Sequence, residues 1–77
     1  MKKEKRITLY KKIWCKIRYY QQLYDISDVN LANYLGVTTR TLKNYDRNAS
    51  SLTLEHLDNF LYAVNIDITQ MFLKGEF

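Results

Sequence analysis

A chain of 77 residues, 47% hydrophobic and 26% charged, holds enough apolar side chain for one modest core, which excludes both a multidomain machine and a disordered tail protein. Its net charge is +4, its apolar runs fall short of the ~18 residues that span a bilayer, and its basic start leads into an amphipathic segment, so neither a membrane span nor a secretory leader is expected. The single cysteine, Cys15, has no internal disulfide partner and no Cys/His cluster around it, which points to a reducing cytoplasm and to no metal or other cofactor.

Residues 1–7 read as a flexible basic arm, with Lys2, Lys3, Lys5 and Arg6 set against Glu4 and no apolar pattern to hold them on a core. A charge run of this kind is suited to follow a polyanion such as the phosphates of DNA. Residues 8–77 form the domain itself. From about 8 to 24, Tyr10, Ile13, Trp14, Ile17, Tyr20 and Tyr24 recur at helical spacing and fill an arc of about 120°. They are expected to be core, with Tyr19 off the stripe and Lys11, Cys15, Arg18 and Gln22 on a solvated opposite face.

Residues 27–47 carry the most specific pattern. A helix over 28–35 has Ser27 as N-cap, and Ile26 and Leu31 are spaced as a hydrophobic staple. Gly36 then supplies a residue that takes positive φ without steric cost. Ala32, one helical turn earlier, is small enough for the next helix to pack close. The grammar repeats at once, with Thr38 as N-cap and Val37 stapling to Leu42. Two capped starts around one glycine are the arrangement of a DNA-binding helix-turn-helix, whose second helix enters the major groove.

Residues 48–51 are a polar connection. Thr53 caps a further helix, with Leu52 and Leu57 as its staple and Leu54, Leu57, Phe60, Leu61 and Val64 as its buried stripe. Asn65 is placed to end that helix in the left-handed conformation. Asp67 and Gln70 form a capping box for a short helix over 68–73, closed by Gly75. His56 falls in a first helical turn and reads as a neighbour of the cap.

The stretch LANYLGVTTRTLKNYDR resembles the Cro and lambda-repressor-like helix-turn-helix family, in its Leu-Ala, its Leu-Gly-Val, its capping threonine, the apolar residue that follows and its terminal basic residue. The resemblance runs from about residue 17 to 72 and implies an all-α, compact five-helix domain that binds operator DNA as a dimer. Two positions depart from the family pattern. Asp28 stands where many members carry a glutamine that contacts phosphate, and Gln21 stands where an arginine is frequent. The departures take one phosphate contact and one internal ion pair out of what the resemblance implies.

Charge is segregated along the chain. Residues 1–24 carry eight Lys/Arg against one Glu, whereas residues 52–77 carry Lys74 against Glu55, Asp58, Asp67 and Glu76. That polarity suits a one-sided DNA binder. On the wheel of the second motif helix, Leu42 and Tyr45 point inward, and Arg40, Lys43, Asn44 and Arg47 share an outward arc of about 100° with Thr39 at its edge. Arginine and lysine pair with guanine and asparagine with adenine, so Thr39, Arg40, Lys43 and Asn44 are expected to read bases. Phosphate contacts are expected from Arg47, Asn48, Ser50, Thr38 and Asn30, with the backbone at the start of the first motif helix. Ile68, Met71, Phe72, Leu73 and Phe77 exceed what a short terminal helix buries in its own domain, so they are the expected surface of a homodimer.

The function expected is a sequence-specific transcriptional regulator, a repressor of a two-fold-symmetric operator. Two alternatives stay open: an antitoxin or plasmid copy-control DNA-binding protein with a protein partner at its acidic side, and a non-DNA helical interaction module. An enzyme is not expected, because one histidine, no phosphate-cradling glycine loop and no clustered carboxylates leave nothing to run a reaction.

Overall fold

The computed structural model describes residues 6–71. Within them the chain is all-α, with five helices and no strand: α1 (Leu9–Leu23), α2 (Asp28–Leu35), α3 (Thr39–Arg47), α4 (Leu54–Val64) and α5 (Ile68–Met71). None of these helices is long and apolar enough to cross a membrane. The expectations for Lys2, Lys3 and Lys5, and for Phe72, Leu73 and Phe77, lie outside the described residues.

Hydroxyl caps decide where the first four helices begin. Thr8 accepts from the backbone N–H of Lys11 at 3.3 Å, Ser27 from Asn30 at 3.1 Å, Thr38 from Thr41 at 3.2 Å and Thr53 from His56 at 3.1 Å. Each such cap contributes about 1 kcal/mol by satisfying a donor that the helix itself leaves unpaired. In α4 the box is completed by His56, whose Nδ1 accepts from the Thr53 N–H at 3.2 Å in the role that Glu or Gln usually fills. At α5 the Asp67 N–H donates to Gln70 Oε1 at 3.0 Å, as the Asp67/Gln70 pairing predicts.

Three ends share one device. Asp25 (φ 54°), Gly36 (φ 81°) and Asn65 (φ 60°) each turn left-handed. The following N–H then reaches back over the turn, from Ile26 to the Gln21 carbonyl, from Val37 to Ala32 and from Ile66 to Leu61. Asp25 was not expected in this seat. It fits there because a short polar side chain lowers the cost of the left-handed region. α3 ends differently, with Asn48 extended (φ −157°, ψ 109°), and so feeds directly into the loop before α4.

The core is built from Phe60, Ile17, Leu31, Leu35, Leu42 and Met71, with Trp14, Tyr45, Ala32, Ala49 and Leu57 around them. α2 lies between α3 and α4 and packs on both. Four expectations need correction. Tyr10 and Tyr24, at the two ends of the α1 stripe, are exposed, because the other helices cover only the middle of α1 at Trp14, Ile17 and Gln21. Leu54 is 78% exposed, since it opens α4 and projects before the first turn meets the core. Arg18 is half-buried rather than solvated. Met71 is 1% exposed and seals α5 onto the domain's own core, so it has no area left for a partner. Ile68 remains 43% exposed.

Candidate nucleic-acid interface

α3 is anchored along one side and open along the other. Leu42 is fully buried and Tyr45 nearly so, the latter meeting Trp14 edge-on with ring centroids 5.1 Å apart. Tyr45 Oη also lies 3.4 Å from His56 Nδ1, which ties α3 to the cap of α4. On the free side Thr39, Arg40, Lys43, Asn44 and Arg47 are all exposed. Leu42 and Tyr45 are three apart, and a helix places positions with that spacing on a single side, so the polar residues between and beyond them are left facing out. The structure thus brings the five expected α3 residues onto one surface.

The positioning residues are more divided. Asn48 and Ser50 are exposed beside Arg47, and Asn48 Oδ1 accepts from the Ser50 N–H at 3.0 Å. The intervening Ala49 is buried and pins this loop to the core. The Thr38 hydroxyl is engaged by its own cap and by Thr41 Oγ1 at 3.0 Å. Asn30 is exposed, but its backbone N–H is committed to Ser27 Oγ.

A cluster at Arg18, which the sequence reading missed, holds the motif in place. The Arg18 guanidinium donates side-on to Asp46, from Nε to Oδ1 at 3.0 Å and from Nη2 to Oδ2 at 2.9 Å. Its Nη1 reaches Asp28 Oδ1 at 3.0 Å and Gln21 Oε1 at 2.6 Å. The guanidinium carbon also lies 5.3 Å from the centre of the Trp14 ring, in cation–π range. Asp46 accepts a further bond from Trp14 Nε1 at 2.8 Å, and Asp28 one from Gln21 Nε2 at 2.8 Å. Gln21 is itself buried and donates to the Ile26 carbonyl as well.

One α1 side chain therefore grips the first residue of α2 and the penultimate residue of α3. The internal ion pair expected to be missing at Gln21 is supplied by Arg18 one turn earlier, with Gln21 as its neutral partner. The Arg18 hydrogen bond, helped by the one from Trp14, holds the Asp46 carboxyl below its ordinary range. Asp28 is lowered chiefly by the Gln21 bond and then by Arg18, with a small contribution from Lys43. The Arg18 guanidinium is raised in turn, mainly by Asp46. Partial burial opposes each of these shifts and does not outweigh them.

The opposite side of the molecule differs in charge and polarity. Asp58 on α4 and Asp67 just before α5 lie with the exposed Leu54, Tyr62 and Ile68 around a shallow groove, and Glu55 is exposed on the same helix as Asp58. Among the described residues no group of three His, Cys, Asp or Glu gathers to hold a metal. Comparison with family models, curated proteins and solved structures finds no match to this chain.

Proposed function

We propose that this chain is a sequence-specific DNA-binding transcriptional regulator of the Cro and lambda-repressor-like type, acting in the cytoplasm as a repressor that pairs two copies on a two-fold-symmetric operator. One observation carries the reading. α3 is fixed on its inner side by Leu42 and Tyr45 and presents Thr39, Arg40, Lys43, Asn44 and Arg47 outward, directly after a left-handed glycine turn from α2. A helix held this way enters a major groove with its first turns against base edges and its far end against the backbone. Arg40 and Lys43 suit guanine, Asn44 suits adenine, and Arg47, Asn48 and Ser50 suit phosphate.

One such helix reads only a few base pairs, so a second copy is needed to locate a site among many competitors. The exposed Leu54, Tyr62 and Ile68 on the acidic side supply apolar area for that contact. The same patch favours the second reading, an antitoxin or copy-control protein whose acidic side meets a different protein. Selection from a random pool of duplex DNA with the purified protein tests the proposal. A two-fold-symmetric consensus is expected, and failure to enrich any sequence refutes it.

A further inference from the structure

A cleft of about 700 Å³ runs between the first half of α1 and the end of α3. Arg6 and Lys11 line it from one side, Arg47 and Asn48 from the other, and the Trp14 and Tyr45 rings lie along it. The sequence placed Lys11 on a featureless solvated face and gave it no task. In the structure the amphipathic turn of α1 sets it alongside the very residues expected to meet the DNA backbone.

We infer that this cleft is a second phosphate-binding surface, in which Arg6, just before α1, and Lys11 in its first turn join Arg47 and Asn48 to hold the sugar–phosphate strand running past the end of α3. The inference rests on the proposed DNA-binding function and adds a contact that α3 and its loop do not supply. Three features of the cleft carry it. Arg6, Lys11 and Arg47 are exposed, and none has an ion-pair partner among the described residues, so their charge is available. The one carboxylate in the lining, Asp46, is paired with Arg18, which lines the cleft beside it, so Arg6, Lys11 and Arg47 leave the cleft net positive. The cations also stand on two separate elements facing one gap, which suits a linear polyanion better than a point ligand.

The charges at Arg6 and Lys11 can be removed singly. Each phosphate contact contributes close to one unit to the slope of log affinity against log salt. Lys11→Gln and Arg6→Gln are each expected to lower that slope by about one, and their combination by about two. The weakening should be equal on selected and random DNA, roughly eightfold per charge at 0.1 M salt when the slope of one contact is carried down from 1 M. Lys16→Gln, on a face of α1 away from the cleft, should leave the slope in place.

Position is read separately through Cys15, which lines the same cleft and is the only cysteine in the chain. An iron chelate attached there should cut the backbone just outside the bases that α3 protects. An unchanged slope in Lys11→Gln, or a silent Cys15 probe on a protein that still selects its sequence, overturns the cleft and leaves the proposed function standing. A wild-type protein that binds no DNA overturns both.

Discussion

Replacing Arg18 by methionine keeps an unbranched stem over Trp14 and removes the guanidinium. The loss can be worked from the geometry. Asp28 and Asp46 are each 45% exposed, so their ion pairs with Arg18 are screened and contribute about 0.5–1 kcal/mol apiece. The guanidinium over the Trp14 ring adds about 0.5–1 kcal/mol. Gln21 Oε1 loses its donor in a buried setting, which costs about 1–2 kcal/mol. Together these come to about 2.5–5 kcal/mol, against a total of about 4–12 kcal/mol for a domain of this length. At about 4–8 °C per kcal/mol, the melting temperature should fall by at least roughly 10 °C at pH 7.

The pH dependence follows from the sign of the shifts. Both carboxyls lie below their ordinary value of 3.8 in the fold, so their pairing stabilises fully above that pH and is lost as pH falls through the lower folded values. Circular-dichroism melts of wild type and Arg18→Met should therefore converge in acid, leaving only the Gln21 and Trp14 share. Asp46→Asn combined with Arg18→Met should cost less than the sum of the two alone. A gap under about 0.5 kcal/mol at pH 7, or an equal gap at pH 7 and pH 2, would refute the clamp.

Three other outcomes are expected. Arg40→Ala or Asn44→Ala should relax base preference at one or two operator positions by about 1–3 kcal/mol, whereas Arg47→Ala should weaken all sequences alike; equal losses on specific and random DNA in binding titrations would erase that division. Gly36→Ala should destabilise by about 1–2 kcal/mol through its left-handed φ alone, because an added Cβ meets nothing within 4 Å, and a urea midpoint equal to wild type would show that the turn relaxes without cost. Sedimentation across a concentration series should show a dimer that Tyr62→Glu weakens, and a strict monomer at high micromolar concentration and on DNA would remove the dimer from the proposed function.

The sequence was most legible where a single residue governs local backbone. Ser27, Thr38 and Thr53 announced their helix starts, and Gly36 and Asn65 their ends, because caps and left-handed turns depend on side chains only a few positions away. The outward face of α3 was legible for a related reason, since two apolar anchors fix the wheel. What escaped was long-range. Arg18 meets Asp46 across 28 residues of chain, and Trp14 meets it across 32, so no local pattern marked either contact. A helical wheel counted Arg18 as solvated because it knows only one helix. The burial of Met71 and the exposure of Leu54 depend in the same way on which neighbours arrive, not on periodicity.

The Arg18 clamp also acts on the acidic residues within the motif itself. Two of the motif's own residues, Asp28 at the start of α2 and Asp46 near the end of α3, are acidic. A free carboxylate at either place would repel a phosphate backbone, and Asp28 would do so at a helix N-terminus otherwise suited to anions. Both are drawn onto one guanidinium, itself fixed by Gln21 and Trp14, so the cluster carries a net −1 rather than −2 and is outweighed by Arg6, Lys11, Arg40, Lys43 and Arg47. Of the other described acids, Glu55, Asp58 and Asp67 sit on α4 and just before α5, and Asp25 lies in the turn between α1 and α2. In the proposed function Arg18 thus does two jobs without touching DNA: it orients α3, and it halves the negative charge that Asp28 and Asp46 would otherwise present to the strand, from −2 to −1.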